Sequence, residues 1–164
     1  MSSGPLLAAT VSTGLLSGLL TAFSAAVMPG LSQADDDAFV TVMAGINQRI
    51  INPVFIALFL GSLAWPVVVL VQGEETATGA RGWVVAGLGL YLGAVGITGM
   101  VHVPLNVAMD RAAGTAPPAE ITALRTWVEP RWVRWHHART VLAAGSFATL
   151  AWALHLSGRV GQGG

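Results

Sequence analysis

Four apolar runs, at about residues 5–28, 53–71, 83–105 and 135–156, constrain this chain more than anything else in it. Each is long enough to cross a bilayer core of ~30 Å as a helix. Inside a bilayer every backbone N–H and C=O must be satisfied within the protein, so the runs are expected to be helices. The stretches between them are too short for a separate soluble domain. The reading is therefore all-α: an integral membrane four-helix bundle with two amphipathic interfacial connections, forming one transmembrane domain over residues 1–164. Only 10% of the residues are charged, against about 25% in soluble domains. Cysteine and lysine are both absent. That excludes disulfides, thiolate metal ligands, a cysteine nucleophile and a lysine Schiff base. Basic and acidic residues balance at eight each, so nucleic acid is not an expected partner.

The first run carries Gly14, Gly18, Ala22 and Ala26 at four-residue spacing, a small-residue stripe that lets another helix approach closely. Such faces also suit a homo-oligomer. Ser24-Ala25-Ala26 resembles a signal-peptide cleavage site, but no positive charge precedes the apolar region, so a retained span is expected. Pro29-Gly30 is expected to end this helix. Asp35-Asp36-Asp37 favours a new helix N-terminus. Phe39, Val40, Met43, Ile46 and Ile50 then recur at helical spacing, which predicts an amphipathic interfacial helix. Pro53 opens the second span, with Pro66 as its expected kink. Gln72 to Arg81, with Glu74-Glu75, reads as a solvated turn. The third span holds a second small-residue face at Gly89, Gly93, Gly96 and Gly99. A short amphipathic segment is expected from Ala116-Pro117-Pro118 to Glu129-Pro130, before the fourth span. From Gly158 a flexible tail is expected.

The two halves of the chain rhyme: a glycine-rich span, a terminal proline (Pro29, Pro104), an amphipathic connection, another proline (Pro53, Pro130), then a second span. This pattern points to an old duplication. The long connections hold Arg49, Arg111, Arg125, Arg131 and Arg134, whereas the other side holds Arg81 and Arg159. The positive-inside rule then puts the long connections in the cytoplasm and both termini outside.

Three polar groups fall at the same membrane face: His102 and Asn106 ending the third span, His136, His137 and Arg139 opening the fourth, and Asn47, Arg49 and Asn52 preceding the second. His155 lies 19 residues beyond His136, roughly 28 Å along a helix, and is read as an interfacial histidine at the opposite face. Polar groups in a membrane are costly and commonly functional. His102, His136 and His137 could together bind copper, iron or zinc. A neutral imidazole could equally serve as a general base, with Arg139 holding an anion and Asn47 and Asn106 bonding a substrate oxygen. The plain alternative is an interfacial belt in which Trp132, Trp135 and Arg139 pack by cation–π contact. Adjacent histidines on a helix point about 100° apart, so His136 and His137 do not easily face one centre.

Several segments, in order, resemble those of the anthrone oxygenase-like family of small four-span membrane proteins. They are Met28-Pro29-Gly30-Leu31, Ile46-Asn47 with Ile51-Asn52-Pro53, Val103-Pro104-Leu105-Asn106, and Trp132 with Trp135-His136-His137-Ala138-Arg139-Thr140. The resemblance implies oxidation of anthrones to anthraquinones by molecular oxygen in aromatic polyketide pathways, without an added organic cofactor. It places Asn47, Asn52, Asn106, His137 and Arg139 on family motif positions. The chain departs from the family where His102 and His136 stand in place of the more usual asparagine.

The resulting expectation is an oxygenase acting on a lipophilic, enolisable aromatic that enters from the lipid. His137 or His102 would take a proton and Arg139 would stabilise charge. Asn47, Asn52, Asn106 and Trp135 would bind substrate. The rival expectations are a non-catalytic transport or binding component or accessory subunit, and a His-ligated metalloenzyme or haem-binding subunit.

Overall fold

The protein was analysed as a computed structural model, which describes residues 4–73 and 79–160. Glu74-Glu75 and residues 161–164 of the expected tail lie outside the described residues. The elements are α1 (Gly4–Ala22), a π turn (Phe23–Val27), α2 (Met28–Leu31), α3 (Asp36–Ile50), α4 (Pro53–Gln72), α5 (Arg81–Ile97), a second π turn (Thr98–His102), α6 (Val103–Ala112) and α7 (Pro118–Val160). Among the described residues there is no strand. Four helical stretches are long and apolar enough to cross a membrane: Gly4–Leu31, Pro53–Gln72, Arg81–Ala112 and Pro118–Arg159. The chain is a multi-pass integral membrane protein.

The spans close into a ring in which α1 packs on α4, α4 on α5, α5 on α7 and α7 on α1. At the end that carries the termini, the ring is held by a core of Leu6, Ala9, Val69, Val84, Leu150 and Ala153. Helix approach there is close. A Cβ on Gly87 of α5 would stand 2.8 Å from Thr149 Oγ1 and 3.0 Å from Leu150 Cγ of α7. Ser146 Oγ also donates to the Gly87 carbonyl at 2.7 Å. Small residues are what permit such contacts, because lipid supplies no hydrophobic drive between helices.

The other end is capped by α3, which packs on α6 and α7. Asp35 starts α3 by accepting from the Ala38 amide at 2.8 Å, satisfying one of the unpaired donors of the first turn. The apolar face of α3, with Phe39, Val40 and Met43, joins Met28, Leu105, Met109 and Trp132 in a second core. Arg125 of α7 ties the preceding loop down. It donates to the carbonyls of Ala34 at 2.7 Å and Ser32 at 3.0 Å and pairs with Asp36 and Glu129.

Three expected helix ends are not ends. The third span does not stop at Leu105 but continues into α6, and Pro29 lies inside the first helical stretch. In both places a π turn stands two residues before the proline, with an amide reaching back five residues: Met28 to Phe23, and Val103 to Thr98. Proline removes a donor and crowds the carbonyl one turn back; the widened turn absorbs this and shifts the helical register by one residue. Pro130 does not end the segment before the fourth span either, and α7 runs through it. The carbonyl that loses its partner is that of Thr126, an exposed residue, so the lost bond is not stranded in a core. The second connection is thus the outward extension of α6 and α7 around a short turn. Gly158 and Arg159 belong to α7 rather than to a tail.

Candidate functional site

Trp132, His136 and Arg139 sit at i, i+4 and i+7 on α7, one helical face. The Trp132 and His136 rings stack with centroids 4.6 Å apart and planes 13° apart. His136 Nε2 lies 3.0 Å from the Leu20 carbonyl oxygen, so it carries the proton and donates. Its Nδ1 then accepts from Arg139 Nε at 3.1 Å and Nη2 at 2.9 Å. The network, not an observed hydrogen, assigns this tautomer. Arg139 Nη1 donates to Thr98 Oγ1 at 3.3 Å, and the guanidinium lies 5.6 Å from the Trp132 ring centroid. A guanidinium has five N–H donors; these bonds use three, which leaves two for a ligand.

The opposing wall comes from the second π turn and α6. His102 is 1% exposed and stands edge-on to Trp132, ring centroids 5.1 Å apart. Asn106 Oδ1 accepts from Trp132 Nε1 at 3.0 Å, which fixes its amide orientation. Between these walls, α3 contributes Asn47, and α1 and α4 contribute Leu19, Phe55 and Phe59. They enclose a cavity of about 450 Å³.

Neither ring nitrogen of His102 has a hydrogen-bond partner, nor does Asn47 Nδ2. The carbonyls of Ile97 and Trp132 approach His102 without meeting bonding geometry. A buried polar atom left unpaired costs about 1–3 kcal/mol. Among the described residues the other such atom is Thr13 Oγ1, which does not line the cavity. His102 and Asn47, which hold three of these unpaired atoms, line one mostly apolar cavity of drug-like size, and such a lining marks a ligand site.

The cavity therefore gathers His102, Asn47, Asn106, Arg139 and His136 from the expected set. It does not gather the others. His137 is exposed, its ring centroid 6.4 Å from that of His136. Trp135 is exposed and carries Arg134, not Arg139, at 5.7 Å from its ring. Asn52 caps α4: its Oδ1 accepts from the amides of Val54 and Phe55 at 3.0 and 3.1 Å. His155 is exposed at the far end, beside Trp152 at 5.3 Å.

Trp132 is the residue whose part the sequence concealed. As a belt tryptophan it would face lipid, yet it is 3% exposed and touches every polar group of the α7 wall. Its spacing to His136 and Arg139 is the signal that marks the inward face. No group of three His, Cys, Asp or Glu residues among the described residues could hold a metal ion. His102 and His136 have ring centroids 6.0 Å apart, and both nitrogens of His136 are engaged.

No curated protein and no solved structure matches the chain. The anthrone oxygenase family matches residues 39–149, which run from the first turn of α3 through most of α7 and include His102, Asn47, Asn106, Arg139 and His136. That stretch exceeds half of the sequence, and the chain belongs to the anthrone oxygenase family.

Proposed function

We propose that the chain is a membrane oxygenase that converts the activated CH2 of an anthrone-like, lipophilic aromatic ketone into a carbonyl. The observation that carries this reading is the buried imidazole of His102, unpaired in the wall of a cavity to which Arg139, Asn47 and Asn106 bring N–H donors. His102 would take a proton from the CH2, which two aromatic rings and the conjugated ketone acidify. The charge moves to the ketone oxygen as an enolate. The two spare N–H groups of Arg139, with the amides of Asn47 and Asn106, can donate to that oxygen in a water-poor site, where such bonds are strongest.

The electron pair of the carbanion then adds to dioxygen, and His102 returns its proton to the peroxide oxygen. Loss of the second C–H proton with cleavage of the O–O bond gives the new carbonyl and water. One CH2 and one O2 give one C=O and one H2O, so no external reductant is needed. No metal is required by this scheme. His136 supports it from behind, its neutral Nδ1 holding Arg139 in place. The arginine count supports placing the α3 and α6–α7 cap in the cytoplasm and both termini outside.

The test is oxygen uptake by purified protein given anthrone, with anthraquinone measured in parallel. One O2 consumed per anthraquinone formed, without chelator sensitivity, is expected. Turnover that stops with chelator, or a product without the new carbonyl, contradicts the proposal.

A further inference from the structure

Beyond Arg139, a second and much smaller void of about 30 Å³ opens off the same wall. Leu16, Tyr91 and Ala94, all nearly fully buried, close its far side. Phe55, Phe59, Val95 and Arg139 border both this void and the main cavity. A space above ~10–15 Å³ can hold a water only if two or more polar partners are available. Of the polar side chains that line it, Tyr91 and Thr98 are already engaged, which leaves Arg139 alone, one partner short of what a water needs. Tyr91 Oη donates to the Phe59 carbonyl at 2.8 Å. Thr98 Oγ1 donates to the Ala94 carbonyl at 2.9 Å and accepts from Arg139. Such a void is dry, and what it can hold is a small apolar molecule.

We propose that this void is a docking site for dioxygen, one wall away from the organic substrate. The inference rests on reading the main cavity as an oxygenase site. Apolar contact holds the gas, and Arg139 stands on the shared border, where the peroxide anion gains its charge when the carbanion's electron pair adds to dioxygen. A site of this kind raises the local oxygen supply without admitting water to the base.

The proposal is tested on intact, methyl-labelled protein in detergent by paramagnetic relaxation under oxygen pressure, which needs no turnover. The Leu16 methyls, 2% exposed, are expected to relax as strongly as those of lipid-facing Leu15, which is 58% exposed. They should relax well beyond the buried methyls of Leu150 and Ala153 at the other end. Ala94→Leu, which fills the void, is expected to abolish the Leu16 enhancement, with Ala94→Val as the milder version if that chain does not fold. In turnover the same substitutions should raise the apparent KM for oxygen severalfold and leave the KM for anthrone unchanged. Leu16 relaxing no faster than Leu150, or an oxygen KM unmoved by both substitutions, overturns the proposal. Enhancement at Leu16 with no oxygenation of any anthrone keeps the gas site and refutes the oxygenase reading instead.

Discussion

The π turn at Phe23–Val27 and the π turn at Thr98–His102 stand at the same distance before a proline, and each is closed by an amide reaching back five residues. Their last residues differ. The first turn ends on Val27, has no buried residue, and contributes Phe23 to the cavity wall. The second ends on His102, which is buried with both nitrogens unpaired. One backbone device thus appears in both halves of the chain, and the chemistry rests on one side chain in the second. The halves also part company afterwards. In the first, the chain breaks at Ile51-Asn52 between α3 and α4; in the second, α7 runs unbroken through Pro130. That continuity carries Trp132 from the cap into the cavity on the same helix as Arg139.

The largest effect should come from removing what separates the two turns. His102→Ala is expected to lower kcat for anthrone by about 10²–10⁴, the usual worth of a general base, while Val27→Ala leaves it near wild type. Oxygen uptake at saturating anthrone measures both. Equal losses would mean that the turns matter as backbone and that the imidazole does not.

Next is Arg139, which the second half positions and the first lacks. Arg139→Gln should cost about 10²–10³ in kcat, as for other donors aimed at developing charge. Arg139→Lys should not restore it, because a lysine cannot bond His136 and keep two donors free in one plane. Recovery of most of the rate with lysine would show that only a positive charge is needed there.

Much of this arrangement was legible in the sequence, and the part that was not has physical causes. Apolar length marked the four spans, and Asp35 with the Phe39–Ile50 periodicity marked α3, because these signals are local. Pro29, Pro104 and Pro130 announce a lost hydrogen bond but not how the chain absorbs it. Two are absorbed by π turns and one by an exposed carbonyl. The His136-His137 pair gives no phase by itself. Which of the two faces inward depends on Trp132 and Arg139 pointing the same way as His136, and hence on α7 being continuous through Pro130.

The end that holds the termini sharpens the contrast between packing and site. Gly87→Ala there should destabilise the protein by about 1–3 kcal/mol, since the added carbon must displace Leu150 and Thr149. Gly18→Ala, with open space around its Cβ position, should be close to neutral. Thermal unfolding in detergent compares the two. Around the cavity the sign reverses. Asn47→Leu removes an unpaired buried donor and should add about 1 kcal/mol of stability, while the KM for anthrone rises. Polar atoms kept at a cost to stability are expected where a ligand completes them, and loss of stability in Asn47→Leu would argue that Asn47 has a structural partner instead.

The smallest effect belongs to His137, which the resemblance in sequence puts on a motif position and which does not line the cavity. It lies one residue from His136, and that one step, about 100° around α7, takes it from the inward face to an exposed one. Nothing in the cavity wall depends on its ring, so His137→Ala should change stability by less than about 0.5 kcal/mol, as exposed substitutions commonly do. Turnover should stay close to wild type across the same anthrone range that separates His102→Ala from Val27→Ala. A loss matching that of His102→Ala would make a second imidazole essential outside the cavity, and the cavity alone would then not account for the proton transfer.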